Sequence, residues 1–188
     1  TLSAQHRLQQ LLDANRTIVS ELSLPAVLRQ IVQSARETAG ARYAALGVIG
    51  SDGLVEEFIH VGIDGTTVAA IGDLPKGRGL LGALIGHAEP IRLPRITDDP
   101  RSAGFPPGHP LMTTFLGVPI RNRDQVFGNL YLTNRLDGNE FTAEDEELIS
   151  ALAATASIAI ENARLYEESR QRQEWLRASG EISRNLLW

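Results

Sequence analysis

The chain has 188 residues, 43% of them hydrophobic and 22% charged, with 18 basic against 23 acidic side chains and a net charge of −5. That is enough for one ordinary domain with a real core and some extra helix, in the composition of a soluble globular protein. No basic stripe with interleaved aromatics is present, so no nucleic-acid partner is expected; no apolar run reaches a membrane span, so no membrane partner is expected and the chain is read as cytoplasmic; no signal peptide is visible.

Ser3 to Glu21 reads as a helix, with Leu8, Leu11, Leu12, Val19 and Leu22 at helical spacing. A second helix begins at SLPAVLRQIVQSARETAG, where Ser23 suits a cap, Pro25 a first turn and Gly40 a stop. Its apolar stripe is Val27, Leu28, Ile31, Val32 and Ala35. RYAALGVIGSDGLVEEFIHVG then reads as a hairpin around a Ser-Asp-Gly turn. TTVAAIGDLP reads as a short helix ended by Gly72 and Pro75, and a further short helix is expected near Leu80 to Ile85, before a brief strand at Ile91 to Leu93. Pro94 to Pro110 is an irregular loop longer than ordinary connections.

FLGVPIRNRDQVFGNLYLTNR reads as a second hairpin, turning near Asn122 to Asp124. Strand alternation puts Phe127, Asn129, Tyr131 and Thr133 on one face and Val126, Gly128, Leu130 and Leu132 on the other. From Thr142 onward the chain reads as one long helix or two in tandem, started by a capping pair of Thr142 and Asp145. Ile149, Ala153, Ala156, Ile160 and Ala163 form a heptad-like seam that packs on the sheet early, while the charged part after Glu161 extends past the domain. The order of elements implies an α/β (α+β) fold, a mainly antiparallel sheet flanked by helices. The expected division is a connector helix over 1–22, a domain over 23–161 and a second connector helix over 162–188. Because the chain starts at Thr1 and stops inside a helical pattern, a segment of a longer protein is expected, with a domain downstream.

The lack of cysteine excludes disulfides, thiolate metal sites, iron–sulfur clusters and thioether-linked tetrapyrroles. No nucleophile elbow is present. PKGRG lacks the spacing of a phosphate loop and reads as a turn with a basic rim. The acidic pair Asp98-Asp99 has no calcium-loop spacing. Of four histidines, His6 lies among polar residues of a helix, His60 sits near the end of a strand on the face opposite Ile59 and Val61, which suits a surface or sheet-packing role ahead of a pocket-facing one, and His87 sits at a helix end. His109 differs, because GFPPGHPLMTTF braces it between Pro107 and Pro110 and surrounds it with Leu111, Met112 and Phe115. A stiff apolar loop with one neutral imidazole suits the proximal side of a haem iron, although a lone loop histidine is also a common structural element. Tyr131 suits a hydrogen bond to a small bound ligand, or a half-buried place at the sheet rim.

Taken together, ARYAALGVIG, LPKGRGLLGALI, GFPPGHPLMTTFLGVPIRNRDQVFGNLYLTNR and FTAEDEELISALAATASIAIENARLYEES resemble a GAF domain. The histidine loop is similar to that of the first, haem-binding GAF domains of the mycobacterial DevS and DosT sensor histidine kinases. The resemblance implies a haem b cofactor, with His109 as the axial iron ligand and Tyr131 beside a bound diatomic gas (O2, CO or NO). Phe58, Met112 and Phe115 become pocket-wall residues. It further implies a two-component system, with homodimerisation through the terminal helices, downstream GAF and kinase domains and a response regulator. It assigns no catalysis to this segment and no metal beyond the haem iron. One position departs from those kinases, which carry a histidine where this chain has Asp73. Two other readings stay open: a GAF domain for a nucleotide or metabolite, and a purely structural dimerisation module.

Overall fold

The computed structural model describes residues 23–72 and 79–185, with side chains described as far as Gly180. The expected helix over 3–21, His6, Asp73 and most of PKGRG lie outside these residues. The first described element, α1 (Leu24–Thr38), starts with Pro25 in its first turn and presents Leu28, Ile31, Val32 and Ala35 to the core. Ser23 occupies the cap position but makes no capping bond through its side chain. Gly40, at φ +60°, lets the chain turn directly into β1 (Ala41–Ile49).

β1 and β2 (Val55–Val61) pair antiparallel. Their turn is closed by Gly50 N–H to the Leu54 carbonyl (2.8 Å) and by Leu54 N–H to the Asp52 carboxylate (3.0 Å). Two short helices come next, α2 (Gly65–Ile71), capped by Asp64, and α3 (Leu80–His87). Three residues, Ile91–Leu93, form β3. After a single 3₁₀ turn at Ile96–Asp98 and the long loop, β4 (Phe115–Arg121) and β5 (Val126–Arg135) make the second hairpin. The sheet order is β2-β1-β5-β4-β3, every neighbour antiparallel.

One helix, α4 (Ala143–Asn185), completes the domain without interruption, so the tandem alternative falls away. Its start is the expected reciprocal box: Thr142 N–H donates to Asp145 Oδ2 (2.8 Å) and Asp145 N–H to Thr142 Oγ1 (3.1 Å). Asp145 also takes a charged bond from Arg135 Nη1 at 2.9 Å, tying the helix start to the end of β5.

The sheet has two unlike faces. On one, α1 and the inner seam of α4 (Ile149, Ala153, Ala156, Ile160) close over Leu46, Val48, Leu116, Val118, Leu130 and Leu132 as one buried cluster. On the other, α2, α3 and the long loop cover a smaller cluster of Leu80, Leu84, Ile91, Ile96, Met112 and Phe115. Gly117 lets α3 approach, since a Cβ there would stand 2.6 Å from Leu84 Cδ1.

Two sequence expectations change. Phe127 does not share a face with Tyr131. The β4–β5 register shifts between Ile120 and Arg121 and leaves Phe127 without a ladder partner, so it turns into the α1/α4 cluster beneath the Arg164 guanidinium (5.4 Å). And α4 does hold, over Ala143–Gly180, an 18-residue window of mean hydropathy 1.2, long and apolar enough by composition to cross a membrane. Ile149, Ala153, Ala156 and Ile160 of that helix are taken up by the sheet. From Leu165 to Ala178 nearly every residue is exposed, including Trp175 and Leu176.

Candidate functional site

The second face of the sheet is not filled. Between its strands and the cover of α2, α3 and the loop lies a cavity of about 530 Å³, within the range of small-molecule sites. Strand register builds its floor. One cross-strand row reads His60, Ala45, Tyr131, Gly117, and the row beside it reads Tyr43, Thr133, Phe115. The small residue Ala45 keeps the middle low, Gly117 at the end of the row is covered by Leu84 of α3, and aromatic rings stand around the opening. Phe115 and Tyr131 stack at 6.1 Å between centroids, and Phe58 lies 6.0 Å from the His60 ring.

His109, Tyr131, Phe58, Met112 and Phe115 all line this one cavity. Their sequence separation is large, and it is the β1–β5–β4 pairing that brings them together. The His109 ring stacks on Phe105 (4.8 Å) and its Nδ1 lies 2.9 Å from the Pro110 carbonyl oxygen. A carbonyl only accepts, so Nδ1 carries the proton, which in the neutral tautomer leaves Nε2 bare. Metal-binding imidazoles are commonly held in this way, the far nitrogen donating to a backbone carbonyl. The donor chemistry therefore fits an axial haem ligand on a largely apolar wall.

Burial pushes the Tyr131 hydroxyl well above its ordinary pKa, so it stays protonated. Two polar atoms, Thr133 Oγ1 and His60 Nδ1, are buried without a partner among the described residues, and both residues line the cavity. Sequence reasoning favoured a surface or sheet-packing role for His60 over a pocket-facing one; the structure makes it part of the cavity wall. Desolvation lowers its pKa, with a smaller push from the Arg29 charge. No lysine or arginine is among the described lining residues. His87 is exposed and outside the lining, and no cluster of histidine and carboxylate groups suited to a bare metal ion occurs among the described residues.

A residue that sequence reasoning missed is Asn134. It has φ +58°. Its carboxamide accepts from Thr113 N–H (2.7 Å) and Thr113 Oγ1 (3.2 Å) and donates to the Leu111 carbonyl (2.9 Å). The available signal was an asparagine at a strand end, the residue type that tolerates the left-handed region.

An antiparallel sheet with one face packed by α1 and α4 and the other hollowed over a cavity of small-molecule size is the architecture of a sensor domain. The GAF-domain family model matches residues 21–161, and the chain belongs to that family. Among solved structures it is similar to the GAF domain of a phosphoenolpyruvate-protein phosphotransferase from Coxiella burnetii, at 23% identity and TM-score 0.66, with 86% of this chain and 96% of that one covered. It is also similar to the second GAF domain of DevS from Mycobacterium smegmatis, at 23% identity and TM-score 0.53, covering 80% and 99%. These likenesses are of fold. Among curated proteins it is 28% identical to a dual 3',5'-cyclic-AMP and -GMP phosphodiesterase 11A of Takifugu rubripes, over 71% of this chain. The chain spans 16% of that relative's length.

Proposed function

We propose that this GAF domain senses a diatomic gas or redox state through a haem b bound in the cavity, as part of a two-component sensor histidine kinase. The observation that carries the reading is His109: a cavity-lining imidazole whose Nδ1 is tied to the Pro110 carbonyl, so that Nε2 is left to bind iron. When bound, haem supplies an iron whose remaining coordination position takes O2, CO or NO. His109 anchors the group, and Pro107 and Pro110 limit the ordering cost of presenting it. Tyr131, kept protonated by burial, donates a hydrogen bond into the cavity and so favours a polar gas ligand over a less polar one. Phe58, Met112 and Phe115 exclude water.

The signal leaves through the terminal helices. α4 touches the sheet through its inner seam and is held at the sheet edge by Arg164, which donates to the Ile49 carbonyl (2.6 Å), pairs with Glu56 (3.6 Å) and covers Phe127. A change in sheet packing is thereby passed to the exposed length of α4. Ile158, Leu165 and Leu176, exposed along that helix, suit contact with a second copy in a cytoplasmic homodimer whose kinase and response regulator lie beyond this chain.

Hemin added to the purified protein should give a Soret band at about one haem per chain that shifts on reduction and on CO. His109→Ala should abolish that band while changing stability by no more than about 1 kcal/mol, since a part-exposed loop side chain is removed. A wild-type Soret band retained in the variant removes His109 from the ligand role.

A second reading has one observation behind it, the cyclic-nucleotide phosphodiesterase relative. It makes the cavity a nucleotide site. The basic groups that this reading calls on, Lys76 and Arg78 of PKGRG, fall outside the described residues, in sequence between the lining residues Gly72 and Leu80. A rise in Tm with cyclic AMP or cyclic GMP, and none with hemin, selects this reading.

A further inference from the structure

We propose that Asn134 is a positioning residue for His109, a role that rests on the haem reading of the cavity. The regular ladder between β4 and β5 ends at the pair Phe115 and Thr133. One residue later Asn134 adopts φ +58° and its own N–H still reaches the Thr114 carbonyl at 3.2 Å. The next N–H, of Arg135, goes to the Thr114 hydroxyl (3.2 Å) and not to a backbone carbonyl, and toward residues 111–113 the carboxamide takes over. Its oxygen accepts from Thr113 N–H and its nitrogen donates to the Leu111 carbonyl. A carboxamide offers the same acceptor and donor as a peptide group, so this side chain prolongs the ladder by pairing with residues 111–113.

Those residues join directly to the histidine. Leu111 is bonded to Pro110, whose carbonyl accepts from His109 Nδ1. Side-chain burial alone holds the segment weakly, for Leu111 is 76% exposed and Thr113 is exposed, with Met112 the apolar anchor between them. The far side of Thr113 is also tied, its carbonyl accepting from Ile96 N–H at 2.8 Å. β5 therefore carries Tyr131 into the cavity and, three residues on, the group that sets where the loop bearing His109 stands. Both polar contacts of the proposed cofactor are referenced to one strand.

The test compares Asn134→Gly, which keeps the left-handed backbone accessible and deletes the carboxamide, with Asn134→Asp, which keeps an acceptor for Thr113 but loses the donor to Leu111. Two readouts are taken on the 188-residue chain. Amide exchange without ligand should accelerate about tenfold over residues 104–114 in Asn134→Gly, with the strand amides of β1 and β5 unchanged. Hemin affinity should fall about tenfold with an altered Soret maximum, Asn134→Asp falling between. Unchanged exchange in both variants overturns the clamp. Faster exchange with wild-type hemin affinity and spectrum overturns the positioning of His109. If the wild-type protein takes up no hemin, the haem reading fails on its own; exchange alone then judges the clamp, and unchanged exchange overturns it.

Discussion

The two faces of this sheet are cut from the same strands and are built to opposite rules. Along β5, Leu130 and Leu132 point to α1 and α4 and are fully buried, whereas Tyr131 and Thr133, their immediate neighbours, face the cavity. The first face is close-packed aliphatic surface. The second leaves about 530 Å³ open and keeps Thr133 Oγ1 and His60 Nδ1 buried without partners among the described residues. Buried polar atoms without partners cost stability. Such a cost is tolerated where something binds, so the difference between the faces divides stability from recognition at single-residue resolution.

The largest effect that tests this division is on the packed face. Leu132→Ala removes a fully buried side chain between α4 and the sheet and should destabilise the protein by about 3 kcal/mol. Urea unfolding followed by circular dichroism measures it. A loss under about 1 kcal/mol would mean that this face collapses easily around a void and is not close-packed after all.

Next comes a change of opposite sign. Thr133→Val has nearly the same shape and deletes a buried hydroxyl that has no partner among the described residues. On the cavity face it should stabilise the ligand-free protein by about 1 kcal/mol. Thermal unfolding of the ligand-free variant reads this directly. A drop in Tm would show that the hydroxyl is already satisfied in solution, by water or by residues outside the described segments, and the contrast between the faces would shrink to one of volume.

Most of the packed face was legible in the sequence. Period-two runs around Ser51-Asp52-Gly53 and Asn122 marked both hairpins, and the 4-3-4-3 spacing from Ile149 to Ala163 marked the inner seam of α4, because helix and strand periodicities are local properties. The loop around His109 was legible too, since proline bracing is written in adjacent residues. The illegible part depends on pairing between strands. His60 becomes a cavity residue only because it shares a row with Ala45 and Tyr131, and register across three strands has no local signature. Phe127 was misplaced for a related reason: one shift in the β4–β5 register reverses the parity of the residues on its far side. Asn134 was passed over because its role is to imitate a backbone that, from the sequence alone, looks as though it simply continues.

The smallest predicted effect concerns His60 and sharpens the contrast most. Burial in the cavity wall disfavours its imidazolium, and the Arg29 charge adds to this, so its folded-state pKa lies below 6.5. Above pH 6.5 the ring is neutral in the folded and unfolded chains alike and its contribution to stability is complete. As pH falls below 6.5, the unfolded chain takes up a proton that the folded one resists, and stability declines until the folded-state pKa is passed. His60→Gln removes this dependence but leaves every other titrating group in place. The urea midpoint of the wild-type protein should therefore fall more than that of the variant between about pH 7.5 and about pH 5.5. A saturating ligand that donates to a bare Nδ1 of the neutral ring should steepen the difference, because protonation of that nitrogen must then also break the ligand's bond. Parallel pH profiles for the two proteins, with and without ligand, would place the ring in water instead, and the cavity face would lose one of the two polar atoms that distinguish it from the face packed by α1 and α4.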